Sequence, residues 1–276
     1  PNLGTKDMMV IGPLARSADD LEMALRLIAL PDENAARGLK VALARPVPGI
    51  RKLRIGVLAD AETAPVDKAV QERVLAAAAC FARHGAKISN KARPEIDLHE
   101  AHKTFIHLVR GATSSALTDE QFAKQSDAAA KLAPNDESYQ AWMLRANTMS
   151  IREWHSWHEK RERMRARWAE FFRDWDLLLC PAAATAAFPH NQKGERWERM
   201  IMVNGKPQPS TTQLFWAGYP GMALLPSTVA PAGFTKEGLP VGVQIVGPQY
   251  GDLSTIAAAK FLEREFQPFV APKGYE

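Results

Sequence analysis

Leu225-Pro226-Ser227-Thr228-Val229-Ala230-Pro231-Ala232-Gly233 runs on to Gly238-Leu239-Pro240-Val241-Gly242-Val243-Gln244-Ile245-Val246-Gly247-Pro248. How this stretch folds decides the architecture. Val241–Val246 is a short, almost wholly apolar run, the pattern of a strand covered on both faces. Met222–Leu225, just upstream, reads as a second strand of the same kind. The segment between them, Pro231–Pro240, carries Gly233 and Gly238, so a hairpin-like turn is expected there. Leu253–Phe266 then reads as an amphipathic helix that closes the unit.

Working toward the N-terminus, Trp175–Cys180 is another buried strand, stopped by Pro181. It follows a long charged helix over 150–173, whose apolar face carries Ile151, Trp154, Trp157, Met164, Trp168, Phe171 and Phe172. Residues 182–214 read as irregular, and 97–148 as mainly helical with a break near Pro134-Asn135-Asp136. Further upstream, Leu53–Leu58 is a short apolar strand. Residues 66–84 form an amphipathic helix with Val70, Val74, Leu75, Ala78 and Phe81 turned inward, ended by Gly85. Ala86–Ser89 completes a strand–helix–strand unit of the parallel kind. Ser17 caps a helix with Asp19 and Asp20 in its first turn, which Pro31 ends. Residues 31–52 are a proline- and glycine-bearing connection. Strands alternating with helices, and strands without polar alternation, define an α/β fold. The strands are few for 276 residues, so the sheet's edges or faces call for a further segment.

Composition narrows the class. Hydrophobic residues are 46% and charged residues 24%, which gives enough apolar material for a real core. No apolar stretch is long enough to span a bilayer, and no leader pattern is visible. Two cysteines, Cys80 and Cys180, do not make a disulfide framework, and a cytoplasmic setting is the default expectation. The net charge is only +4. The chain begins at Pro1, which leaves processing, a fragment and an ordered piece of something longer all open.

The clusters of reactive side chains each have a plain structural reading. His155, His158 and Glu159 share one helical turn, but there is no H-E-x-x-H order and no third ligand, so they read as a surface patch and no metal is expected. The basic run Lys160–Arg167 is interleaved with Glu159, Glu162 and Glu170, which makes it a salt-bridged face and not a nucleic-acid surface. Cys180, at the end of an apolar strand, has no base nearby in sequence and reads as a buried, inert thiol. Ser114-Ser115 has Gly111 before it but no glycine after it, so it lacks the backbone of an oxyanion hole and reads as a helical or capping feature. No nucleotide-binding glycine motif and no G-x-S-x-G elbow occurs.

The opening stretch closely resembles the C-terminal signature of the amidase-signature hydrolases, and Asp252 and the final helix extend the likeness toward Gly274-Tyr275. Gly12-Pro13-Leu14-Ala15-Arg16-Ser17, with Ala18-Asp19-Asp20-Leu21, resembles the segment that follows the catalytic core in that family. The passage from Phe171-Phe172 to Asp176-Leu177-Leu178-Leu179-Cys180-Pro181 resembles its helix-to-strand transition.

The resemblance implies part of an α/β/α sandwich around a mixed sheet, with residues 1–276 forming one domain, the C-terminal portion of that fold. It implies hydrolysis of a carboxylic amide by a serine nucleophile, with a second serine and a lysine relaying the proton, and no metal or organic cofactor. In the family those residues precede the segment matched by Gly12–Ser17. No catalytic residue is therefore expected in this chain, Lys6 included, and the chain alone is expected to be inactive. The segments after Pro181 and over Gln213–Tyr219 match pocket borders in the family. Phe215, Trp216 and Tyr219 are thus candidate substrate-binding residues, with core packing the competing reading. Gly218, Gly221 and Gly233 are assigned to turns. The expected partners are a small amide in the parent enzyme and either a missing N-terminal segment or a second copy, with no nucleic acid and no membrane. The alternative is a natural non-catalytic relative that binds a ligand or a partner.

Overall fold

The computed structural model describes residues 6–275; the outermost positions of the expected 1–276 domain lie outside the described residues. Its framework is a five-stranded mixed sheet in the order β2-β1-β3-β7-β6. The strands are β1 (Arg54–Val57), β2 (Lys87–Ser89), β3 (Leu177–Pro181), β6 (Ser227–Phe234) and β7 (Pro240–Val246). β1 runs parallel to β2 and to β3, β7 runs antiparallel to β3, and β6 antiparallel to β7. The β1–α2–β2 crossover, through α2 (Lys68–Arg83), is the expected strand–helix–strand unit. The chain then returns to the other side of β1 to form β3, so strand order reverses between β1 and β3.

Helices cover both faces, giving the α/β/α layering. Side chains alternate across each strand. Ile55, Val57, Leu177, Leu179, Val243 and Ile245 face a core built with Val74, Ala77 and Phe81 of α2 and with Ile256, Phe261 and Leu262 of α8 (Asp252–Glu265). Leu178, Cys180 and Val246 face a second core. It holds Trp168 and Phe171 of α6 (Ile151–Asp174), Ala101 of α3 (Leu98–Thr113), and Phe215, Trp216 and Tyr219 of α7 (Leu214–Met222). All five residues of β3 are buried, which is why its sequence is apolar throughout. α4 (Asp119–Ala130) and α5 (Tyr139–Asn147) pack outside α3, and α1 (Ala18–Ile28) lies on α8. Helix starts follow the capping chemistry: Ser17, Asp67, Asp97, Thr118, Ser138 and Ser150 each accept a backbone N–H of the first turn.

Several expectations need correcting. The strand expected at Met222–Leu225 is the end of α7 and a turn in which Leu224 has φ 57°; the strand begins at Ser227. Residues 182–214 are not wholly irregular. They contain a hairpin of β4 (Met200–Val203) and β5 (Lys206–Pro209), turning at Asn204-Gly205 with φ 51° and 75°. Leu75 is 42% exposed and Ile151 71% exposed, so neither is a core residue. Ile151 is the first residue of its helix. Gly218 is not a turn residue. It lies inside α7, where a Cβ would sit 2.4 Å from Phe105 Cδ1, so it is glycine because α3 approaches there. Gly221 is likewise helical. Gly233, with φ 109° at the β6 bulge, does need glycine's backbone freedom.

One edge of the sheet is a three-residue strand that begins with Lys87, and the other is the eight-residue β6. β6 carries no charge, and Val229 and Phe234 point outward, half-exposed. Upstream of α1, Val10, Ile11 and Leu14 are each at least 91% exposed, as freely solvated as in an unfolded chain.

Candidate functional site

The most elaborately tied part of the molecule lies at the carboxyl ends of β1 and β3, where α7 crosses them. Gln244, buried in β7, donates from Nε2 to the carbonyl of Trp216 (2.9 Å) and to Cys180 Sγ (3.3 Å). Gln213 accepts the Ala184 N–H at 2.7 Å and donates to Thr185 Oγ1 at 2.9 Å. The Trp216 indole donates to the Ala64 carbonyl at 3.2 Å. Gln213 and Trp216 therefore fasten α7 to the loops after β3 and β1, and Gln244 fastens it to β3 and β7. Each satisfies backbone groups that would otherwise be buried without partners.

The β4–β5 hairpin adds a fourth tie. Asn204, at its tip, accepts the Lys68 N–H (2.8 Å) and donates to the Val66 carbonyl (2.9 Å). Asp67 accepts the N–H of Asn204 (3.2 Å) and caps α2. Sequence reading missed this hairpin, although the Asn-Gly pair that follows the apolar run Met200–Val203 is a hairpin signal.

Phe215, Trp216 and Tyr219 are brought together here. Phe215 stacks on Tyr219 with centroids 5.6 Å apart, and Trp216 stands edge-on to Phe215 at 5.0 Å. Trp168 lies 4.9 Å from Tyr219, and His102 lies 5.8 Å from Phe215. All three candidates are at most 2% exposed. Among the described residues, the Tyr219 hydroxyl and the Trp168 indole N–H find no hydrogen-bond partner in their buried positions. Burial pushes the Tyr219 phenol well above its ordinary range. Cys180 adds to the rise and Arg93 opposes it. Burial likewise raises the Cys180 thiol to about 12, against a smaller lowering by the Gln244 hydrogen bond. A thiol so placed is protonated and non-nucleophilic at neutral pH.

The remaining candidate clusters resolve into local structure. Ser114 begins a short 3-10 turn and its hydroxyl donates to the Gly111 carbonyl at 2.8 Å. His158 stacks on Trp154, and its Nδ1 accepts from Arg161 Nη2 at 2.8 Å. The cations of the basic run are paired: Lys160 with Glu100, Arg161 with Asp7, Arg163 with Glu159, Arg165 with Glu162 and Arg167 with Glu170. Among the described residues no group of three or more His, Cys, Asp or Glu is placed to hold a metal ion. Among them also, no helix is long and apolar enough to cross a membrane. Within the same set Lys6 makes no hydrogen bond or ion pair, and no serine hydroxyl is hydrogen-bonded to a lysine or a histidine.

A mixed sheet between two helical layers, with α7 tied across the carboxyl ends of its strands, places the molecule among doubly covered α/β folds. The sequence matches the amidase family model over residues 4–256, and the chain belongs to that family. It is similar to a glutamyl-tRNA(Gln) amidotransferase subunit from Myxococcus xanthus, with 26% identity over 94% of this chain and 55% of that protein. It is also similar to the indoleacetamide hydrolase of Bradyrhizobium diazoefficiens, with 24% identity over 93% of this chain and 46% of that protein. Among solved structures, a bacterial aryl acylamidase of the amidase signature family superposes with a TM-score of 0.70 at 21% identity. That alignment covers 93% of this chain and 53% of the acylamidase. The chain spans about half the length of the curated relatives it matches.

Proposed function

We propose that this chain is the C-terminal portion of an amidase that hydrolyses carboxylic amide C–N bonds by serine acyl transfer. On this reading residues 1–276 are one folding unit, and the serine–serine–lysine relay lies upstream of Gly12–Ser17. The observation that carries the reading is a pairing of facts. Family membership extends along almost the whole chain while covering half of the relatives' length, and no described serine meets a lysine or a histidine. A serine hydroxyl without an amine or imidazole to take its proton is a poor nucleophile, so the chain alone lacks the first step of acyl transfer.

Its part in the parent enzyme is to supply a rigid floor. Gln213, Gln244 and Asn204 hold α7 and the loops after β1 and β3 in one arrangement. Phe215, Trp216 and Tyr219 stand as the packed aromatic backing of the substrate pocket, whose open side belongs to the upstream segment. The uncharged β6 edge and the solvated Val10, Ile11 and Leu14 suit completion by another stretch of polypeptide better than a closed, self-sufficient binding protein. The substrate is a small amide, and no metal or organic cofactor takes part.

The test is hydrolysis of simple aryl and alkyl amides by the pure chain. No release of amine above the buffer rate is expected. Multiple turnovers that survive repurification would overturn the reading.

A further inference from the structure

A cleft of about 170 Å³ opens at the carboxyl ends of β1 and β2, next to the point where strand order reverses. Crevices at that end of a parallel sheet are where open α/β folds take ligands. Its floor is apolar, made by Val57, Leu58 and Leu75, and its walls carry Asp60, Asn90 and Arg93. The half-exposed Leu75, an anomaly for a helix face turned to the core, is explained as part of this floor.

The polar groups are held in place but not used up. Asp60 accepts the Val66 N–H through Oδ1 at 2.8 Å, which leaves Oδ2 open. Ser89 Oγ accepts the N–H groups of Lys91 (3.3 Å) and Ala92 (3.1 Å), folding the loop that presents Asn90 and Arg93. That loop crosses β1 closely: a Cβ on Gly56 would sit 2.7 Å from the Ala92 carbonyl oxygen. Among the described residues, the Arg93 guanidinium and the Asn90 amide make no hydrogen bond, and Arg93 and Asp60 form no ion pair with each other or with another group. Two opposite charges thus flank one small cleft without neutralising each other. The complement of that arrangement is a molecule bearing both charges.

We propose that this cleft binds a small apolar α-amino acid as its zwitterion. The carboxylate meets Arg93, the ammonium meets Asp60, Asn90 bridges them, and the side chain rests on Leu58 and Leu75. The volume is close to that of the engineered cavities of about 150 Å³ that hold a benzene molecule, which suits a valine-sized ligand. Guanidinium–carboxylate recognition supplies orientation, and the apolar floor supplies selection for the side chain. The inference is independent of the hydrolase reading, because it uses only groups present in this chain.

The experiment is a titration of the isotope-labelled chain with L-valine at low ionic strength, followed by amide NMR. Isovalerate, which lacks the amine, and isobutylamine, which lacks the carboxylate, are run beside it. Saturable shifts confined to Val57–Asp60 and the Asn90–Arg93 loop are expected, with each analogue weaker by about tenfold or more. Arg93→Gln and Asp60→Asn should weaken valine to a similar degree. Asp60→Asn keeps an acceptor for Val66, and the analogue comparison needs no variant at all. Absence of saturable shifts in this cleft, isovalerate binding as tightly as valine, or unchanged affinity in Arg93→Gln would each overturn the assignment.

Discussion

The ion pair between Asp7 and Arg161 gives the sharpest test of how the N-terminal segment is seated. Arg161 sits on α6 with only 4% of its side chain exposed, while Asp7 is 23% exposed. Arg161 Nη1 reaches both carboxylate oxygens, at 2.8 and 2.7 Å, and Nη2 is satisfied by His158. Nε has no hydrogen-bond partner among the described residues and lies 3.8 Å from a Glu162 oxygen. Asp7→Asn removes the close counter-charge and leaves a buried guanidinium with a neutral neighbour. Breaking a buried pair by removing one partner costs about 3–5 kcal/mol. Water reaching the part-exposed Asp7 position, and the more distant Glu162, offset some of this, so about 2–3 kcal/mol is expected here. Arg161→Met in the same chain removes the stranded charge and keeps most of the apolar stem. The double variant should therefore lie within about 1 kcal/mol of the parent, a coupling of at least about 1 kcal/mol. Urea unfolding followed by tryptophan fluorescence measures all four states, with Trp157 and Trp168 on the same helix as reporters. A change below about 0.5 kcal/mol in Asp7→Asn, within the range of an ordinary surface substitution, would rule this pairing out as a structural tie. It would mean that residues before Gly12 are not part of the folded unit.

Three further outcomes are expected. Burial lowers His102 and His107 to about 4, with His99 adding to the effect at His102. The unfolded chain takes up these two protons near pH 6.5 and the folded chain near 4. Stability should therefore fall progressively as pH drops through that window, by up to about 3 kcal/mol per histidine. Replacing both by Phe should flatten the acid limb of a pH series of urea midpoints, and an unchanged limb would exclude these rings as its cause. Gly218→Ala puts a Cβ into the Phe105 ring and should cost about 1–3 kcal/mol, recovered in part by Phe105→Leu; a neutral result by thermal melting would show that α3 can move aside. Cys180 should resist iodoacetamide at about pH 8 in the folded protein and react on unfolding, and rapid native labelling at that residue would contradict its burial.

Much of the sheet was legible because its inner strands are covered on both faces and so read as short apolar runs. β3 and β7 are the clearest cases. The same rule misplaced β6. Met222–Leu225 is also apolar, but it is the last residue of α7 and the turn that follows, whereas β6 is an edge strand whose Ser227, Val229, Pro231 and Phe234 face outward. Only pairing to β7, with Thr228 opposite Ile245 and Ala230 opposite Val243, fixes its place. The β4–β5 hairpin hid behind its composition, since Pro207 and Pro209 argue against a strand; both lie in a two-stranded ribbon outside the main sheet. For the candidate site, the family resemblance singled out the aromatic residues of α7 but not what holds them. Gln213, Gln244 and Asn204 act across 28, 28 and 138 residues of sequence, a separation no local pattern records.

Whether this amidase-family chain carries the fold's C-terminal portion without its nucleophile is decided by intact-mass analysis of the pure chain after exposure to a serine-reactive fluorophosphonate. An unmodified mass is expected under conditions that fully label an active serine hydrolase run alongside. Stoichiometric addition at a single serine, abolished by prior unfolding, would show that the chain holds a working nucleophile after all.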